Sequence, residues 1–281
     1  MVREKRTATP SAVMGSCALC GDARYLCDSH LLPSALYRLL MSTTVSPPHP
    51  LVVTPTVTFT TSQQVSGYLL CVDCEERFRV GGEECALRNC YRMGKGFRLR
   101  DLVLRCELLD DGIMGRIYSG KINPEVEQLA YFAASVFWRA AVHRWHQPTL
   151  KPKVPIDLGP HQEPLRQYLL GKTPFPISMA VWLWLSQADP PSRVVTVPHS
   201  YRMWGCHLHC FDIPGMRFTL LVSRTLPDWV RLMCIVKGPD RPILISDAPD
   251  DILRADIDKL SKTSRLSRAL AKQGKWSWSQ A

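Results

Sequence analysis

The sequence predicts an α+β protein: a cysteine-rich N-terminal region, a long central helix and a β-rich C-terminal domain. Three observations predict it. Seven of the eleven cysteines lie before residue 91, and an eighth is Cys106. A single apolar stripe of helical period follows Asn123. Beyond residue 190, short apolar or alternating runs are separated by turn residues. A length of 281 residues allows one large domain or two, and 46% hydrophobic with 21% charged residues is the balance of a folded chain. The expected organisation is residues 1–120, then a helical spine at 121–147, an α+β domain at 148–258 and a basic tail at 259–281.

Within the first region, Ser42 to Gln64 is rich in Thr, Pro and Ser. Val53, Pro55, Val57 and Phe59 alternate with threonines, which suits a hairpin arm or an extended loop. Asn123-Pro124 reads as a helix cap followed by proline in the first helical position. Val126, Leu129, Phe132, Ala133, Val136, Phe137, Ala140 and Ala141 then recur at spacings of three and four, predicting one long helix to about His146. A proline-rich linker at 147–164 follows. A short helix is expected from Leu165 to Leu170, closed by Gly171. Strands are expected at 194–197, from Arg202 to Phe211 and at 216–222, with Pro214-Gly215 as the turn between the last two. VRLMCIV (230–236) and PILIS (242–246) read as two more. The tail carries Lys259, Lys262, Arg265, Arg268, Lys272 and Lys275, with no acid after Asp258.

Several classes are excluded. The longest apolar run, Met179 to Leu185, is far short of the roughly 20 residues that a bilayer span needs, so no membrane partner is expected. The charged start MVREKRT leads into no apolar stretch, which predicts no secretory signal. An odd number of cysteines without that signal argues for a reducing, cytoplasmic setting, with metal ligation or reduced thiols rather than disulfides. No nucleophile elbow, P-loop or dinucleotide fingerprint is present. Lys+Arg minus Asp+Glu is 35 − 25 = +10, which favours polyanions: nucleic acid first, acidic protein or membrane surfaces second.

The sharpest motif is a pair of C-x2-C units, Cys17-Ala-Leu-Cys20 and Cys71-Val-Asp-Cys74. Two intervening residues make a tight turn that aims both sulfurs at one point. Two such turns close a four-sulfur site suited to structural zinc. One unit alone would read as ordinary buried cysteines; two favour metal. Cys85 and Cys90 sit in a helical setting and read as core or surface thiols. In Cys206-His207-Leu208-His209-Cys210, strand alternation sends the cysteines one way and the histidines the other. One ion does not gather all four, and the expected arrangement is a buried Cys/Leu face with two half-exposed histidines.

Between the knuckles stands Asp28-Ser29-His30-Leu31-Leu32-Pro33; Leu69-Leu70 precedes the second knuckle and Glu75-Glu76 follows it. The order C-x2-C, S-H-L-L-P, L-L-C-x2-C-E, over roughly residues 14–80, resembles HNH endonucleases of the His-Me finger group, in a branch with S-H-x-x-P. The resemblance implies an N-terminal treble-clef (ββα) zinc finger in a bacterial or phage protein. It also implies metal-dependent hydrolysis of DNA, RNA being the poorer candidate. His30 matches the general base, a role that suits histidine because a free imidazole changes charge near neutral pH. Glu75 takes the place of a divalent-metal ligand for Mg²⁺ or Mn²⁺. The chain departs from the pattern in two places: Ser29 replaces the common Asp, and Ser66 stands where an Asn is expected. Asp28 and Asp73 are substitute ligands. The alternative reading is a zinc module that binds nucleic acid or protein without cleaving, and the C-terminal domain could bind a partner subunit.

Arg77, Arg79, Arg88, Arg92, Lys95, Arg98 and Arg100 form a basic run that either tracks a phosphate backbone or is a solvated helix face. Lys262, Arg265 and Arg268 in the tail carry the same two readings. Trp138, Trp145, Trp182 and Trp184 read as packing residues.

Overall fold

The computed structural model describes residues 13–41, 50–53, 57–61, 63–121, 123, 125–147 and 150–268; side chains of 146–153 are outside the description. The C-terminal part of the basic tail, with Trp276 and Trp278, lies outside the described residues.

The described residues open with β1 (Val13–Ser16) and β2 (Ala23–His30), followed by helix α1 (Ser34–Leu40). Strands β3 (Leu51–Val53) and β4 (Val57–Thr60) then pair antiparallel, as an arm predicts. Next, β5 (Ser66–Cys71) returns to pair antiparallel with β2, giving a three-stranded sheet in the order β1-β2-β5. Ser29 stands opposite Gly67 and His30 opposite Ser66. Helix α2 (Val72–Phe78) starts at the second knuckle and passes through a π turn at Arg79–Glu83 into α3 (Glu84–Asn89). Helix α4 (Arg98–Val103) completes this lobe.

The long helix α5 (Glu125–Val142) is present, and the Asn123 side chain caps it by accepting the Glu125 N–H at 3.0 Å. It is buried almost all round, because it packs between the cysteine lobe and a large sheet. Gly81 and Gly82 permit the π turn to lie directly on it. A Cβ on Gly82 would sit 2.6 Å from the Phe132 amide nitrogen, and this close approach fixes where Glu83 falls.

That sheet has seven strands. A hairpin, β6 (Leu108–Gly112) and β7 (Gly115–Tyr118), supplies one edge from the chain before α5. After α5 come the pair β8 (Trp145–Gln147) and β9 (Leu150–Lys153), and helix α6 (Gln162–Leu169) ending ahead of Gly171 at φ +72°. The remaining strands are β10 (Met179–Ser186), β11 (His199–Met203), β12 (Cys206–Ile213), β13 (Met216–Val222) and β14 (Ile243–Ser246), in the order β11-β12-β13-β10-β14-β7-β6. Only β10 and β14 pair in parallel. Phe211 and Phe218 stack at 5.1 Å and meet Phe132 and Phe137 of α5, so this face is the aromatic core.

Three expected strands differ. The stretch from Arg202 to Phe211 is not one strand: Trp204 at φ +53° and Gly205 at φ +71° turn the chain back, so β11 and β12 pair antiparallel on either side of them. Residues 194–197 form no strand: Thr196 bonds Asp212 of β12 through its N–H and its hydroxyl, and flanking prolines deny a ladder. Most of VRLMCIV folds otherwise, with α7 (Asp228–Leu232) behind Pro227. Helix α8 (Ala248–Thr263) runs across the expected start of the basic tail, and β15 (Arg265–Leu266) pairs parallel to β4. No described helix is long and apolar enough to cross a membrane.

Candidate metal centre and the polar cluster beside it

The first knuckle forms because residues 17–22 turn sharply. Cys17 N donates to Asp22 O at 2.9 Å and Gly21 N to Cys17 O at 2.8 Å, with Gly21 at φ +87°, a conformation glycine adopts without strain. Ala18 N donates to Leu69 O, tying the knuckle to β5. The second knuckle straddles the end of β5 and the first turn of α2, so one sulfur comes from a strand and the other from a helix.

These turns bring Cys17, Cys20, Cys71 and Cys74 together, with all four sulfurs within 4.8 Å of one another. A tetrahedral ion with bonds of about 2.3 Å sets its sulfurs about 3.8 Å apart; Cys20 and Cys71 are 4.0 Å apart. The Cys71 amide donates to Cys17 Sγ at 3.3 Å. Burial works against a Cys17 thiolate, but the amides of Cys20, Cys71 and Leu19 outweigh it and bring that thiol down to about 7. Burial pushes Cys74 up, and the charge of Cys17 adds to the effect. One thiolate among crowded thiols is the state a soft cation relieves. The donor set fits zinc, and it is the single such cluster of His, Cys, Asp and Glu among the described residues. Cys85 and Cys90 are buried core thiols, each pushed up to about 11 by burial.

Beside this centre the predicted catalytic residues separate into two groups. Ser29 is buried at the end of β2; its Oγ accepts the Leu70 N–H at 3.1 Å. Glu75, in the first turn of α2, is half-buried, and its Oε1 has no partner. Burial pushes its carboxyl up; the Ser29 hydroxyl, Arg139 and His30 oppose this, and Glu83 adds to it. His30 is half-buried and close enough to act on Glu75 electrostatically. Asp28 is exposed. Asp73 is exposed too and is held by Arg24 at 2.5 Å.

Three residues that motif reading did not single out converge here. Arg139 of α5 is 1% exposed. It donates to His30 O at 2.9 Å, approaches Glu83 at 2.8 Å, bonds Ser135 and lies over the Phe78 ring. The Glu83 contact lacks hydrogen-bond geometry, so Glu83 Oε1 is buried without a donor. His143 packs on the Gly67 backbone, its Nε2 2.4 Å from where a Cβ would sit. Arg139 and His143 continue the stripe Leu129, Phe132, Val136 at spacings of three and four, and a charge in an apolar stripe was the available signal.

The predicted basic residues divide as well. Arg79 is taken up by Glu76 and Glu84, and Arg100 by the carbonyls of residues 186–188 and by Asp189. Arg98 pairs with Glu125. Arg77, Lys262, Arg265 and Arg268 make no ion pair among the described residues.

The molecule is thus an α+β protein with a four-thiol candidate metal centre. Comparison with known proteins yields no match to a family model, a curated protein or a solved structure.

Proposed function

We propose that the protein acts on nucleic-acid phosphodiesters, DNA before RNA, through a zinc-stapled finger of the HNH kind. The observation that carries this reading is the juxtaposition at the end of β2: the four-thiol centre fixes β2, β5 and α2, and beside it His30 lies within electrostatic reach of the half-buried Glu75, whose Oε1 has no partner. His30 would take a proton from the water that attacks phosphorus. Glu75, with its orphaned oxygen, is the residue that would hold a Mg²⁺ or Mn²⁺ ion, which when bound supplies Lewis acidity at the phosphate. Ser29 orients the cluster through the β5 backbone.

Binding without cleavage is the second reading, and Arg139 favours it. Its guanidinium already places positive charge against Glu83 and within electrostatic reach of Glu75, and neither Asp28 nor Asp73 turns in to complete a ligand set. Incubation of wild type and His30→Ala with plasmid, single-stranded DNA and RNA across Mg²⁺ and Mn²⁺ separates the two. Hydrolysis predicts nicking by wild type that falls by about 10²–10⁴ in the variant, with zinc content unchanged. Equal nicking by both proteins rejects His30 as base; binding with no nicking under any ion leaves the second reading standing.

A further inference from the structure

We propose that the hollow between Arg88, Arg92, Lys95 and Arg98 is a phosphate site that grips a nucleic-acid backbone; it rests on the nucleic-acid part of the reading above and not on hydrolysis. The hollow has a volume of about 240 Å³, and Cys90 and Gly96 complete its lining. Four cations meet there with one carboxylate in contact, Glu125, which is 14% exposed and bonds Arg88 and Arg98. The local balance is therefore +4 − 1 = +3.

The four cations are held differently. Glu125 fixes Arg88 at 2.9 Å and Arg98 at 2.9 Å, and Arg98 also donates to Asn89 Oδ1 at 2.7 Å, so both guanidinium groups are set in place before any ligand arrives. Arg92 spends Nε and Nη2 on the Leu87 carbonyl and keeps its full charge without an acidic partner. Lys95 makes no ion pair among the described residues. It stands at the tip of a closed turn: Lys95 N and Gly96 N both donate to Arg92 O at 3.0 Å, and Arg92 N returns to Gly96 O. Gly94 at φ +76° and Gly96 at φ +78° flank it in the left-handed region. The turn places Lys95 in the lining of the hollow, and Cys90, buried and neutral, gives it an uncharged wall. Planar, preset guanidinium groups with a lysine at the rim suit the oxyanion of a phosphate.

A polymer backbone fits better than a free phosphate. Glu75 and Arg88 lie 13 residues apart on the nearly continuous helix α2–π turn–α3. At about 1.5 Å per residue Arg88 stands at most about 20 Å along this stretch from Glu75, a span that several nucleotides bridge and one does not. Exposed Arg77 lies on the same stretch and makes no ion pair.

The test uses the zinc-loaded full chain without other divalent ions, so that no cleavage competes. Fluorescence anisotropy follows labelled 20-mers of single-stranded DNA, duplex DNA and RNA over a range of KCl. Lys95→Ala is expected to weaken binding about threefold to tenfold, and Arg92→Gln with Lys95→Ala more than tenfold. The slope of log K against log salt should become shallower by about 1 for each phosphate that the variant no longer neutralises. His30→Ala should bind as wild type. Unchanged affinity and slope in Lys95→Ala, whose side chain is exposed, overturns the site. Inorganic phosphate, a mononucleotide or a phosphopeptide displacing the oligonucleotide as well as an equal concentration of oligonucleotide phosphate overturns the backbone as its ligand. A wild type that binds in this way but never nicks sinks hydrolysis and leaves the hollow in place.

Discussion

Among the described residues each half of the molecule buries one arginine, and the two are treated differently. In the large sheet, Arg217 of β13 is 4% exposed and meets Asp212 of β12 in two hydrogen bonds, at 2.7 and 3.1 Å. Thr196 closes the group by donating to Asp212 and accepting its backbone N–H. No fully buried side-chain nitrogen or oxygen of these three residues is left without a partner. In the cysteine lobe, Arg139 leans on carbonyl and hydroxyl oxygens, faces Glu83 without hydrogen-bond geometry, and leaves oxygens of Glu75 and Glu83 unpartnered. Complete satisfaction is what a structural ion pair needs in a low-dielectric interior. Spare acceptors beside a half-buried histidine are what a site needs. The sheet's charge is closed and the lobe's charge is open.

The largest expected effect concerns what holds the open lobe. Its three-stranded sheet is small and much of β1 and β2 is exposed, so the metal must supply stability that apolar burial does not. Structural zinc contributes on the order of 10–16 kcal/mol in small domains at neutral pH. Chelation, or Cys71→Ser, is expected to remove one zinc per chain and abolish hydrogen-exchange protection in β2, β5 and α2. The amides of β10, β12 and β13 should keep theirs, because their core is the aromatic layer against α5. Equal loss of protection in both regions would show that the lobes do not differ in this way, and absence of zinc by elemental analysis would remove the centre altogether.

The next effect compares the arginines directly. Arg217→Met strands Asp212, 2% exposed, with no second cation in contact, and should cost about 3–5 kcal/mol. Adding Asp212→Leu should recover much of that, since no charge is then left buried. Arg139→Met should cost less than Arg217→Met, because Glu75 and Glu83 are only partly buried and water can reach the charge left behind. Urea denaturation of the three variants ranks them; a larger loss at Arg139 would mean that the lobe's cluster is as closed as the sheet's.

Much of this contrast was legible in the sequence, and the reason is local. The knuckles announce themselves because thiolate geometry needs two intervening residues. The Asn123 cap, the stripe from Val126 to Ala141 and the Pro214-Gly215 turn are short-range signals that the structure keeps. The rest depends on contacts distant in sequence. Arg139 and His143 read as the end of an apolar stripe until β2 and β5 are placed against them. The hairpin β6–β7 carries no mark showing that it joins a sheet whose other strands follow α5. The run VRLMCIV is apolar without a clear period, so Pro227 and tertiary packing decide for a helix. The π turn that delivers Glu83 follows from Gly82 meeting α5, a contact no pattern encodes.

The smallest effect tests the closed half by pH. Alternation in β12 predicts His207 and His209 on one face, both half-exposed; His207 is exposed, but His209 is 2% exposed and shares a 2.7 Å hydrogen bond with Ser200 of β11. Burial, reinforced by the neighbouring His207, lowers its pKa from 6.5 to about 4. The unfolded chain therefore binds this proton at a higher pH than the folded one. Stability from His209 is fully present above about pH 6.5 and is lost as pH falls towards about 4. The total is at most about 3 kcal/mol, of which about 2 kcal/mol is gone by pH 5. Zinc release at low pH and the burial-lowered pKa values of His143 and His161 act in the same direction, so the measurement must be a difference. His209→Gln keeps a hydrogen-bonding side chain and cannot titrate, while the zinc centre and the other histidines stay as they are. Between pH 7 and 5 the wild type should lose about 2 kcal/mol more than His209→Gln in urea titrations. Parallel curves would mean that the imidazole accepts its proton in the folded state, and that the sheet is less closed around its polar groups than Arg217 and Asp212 indicate.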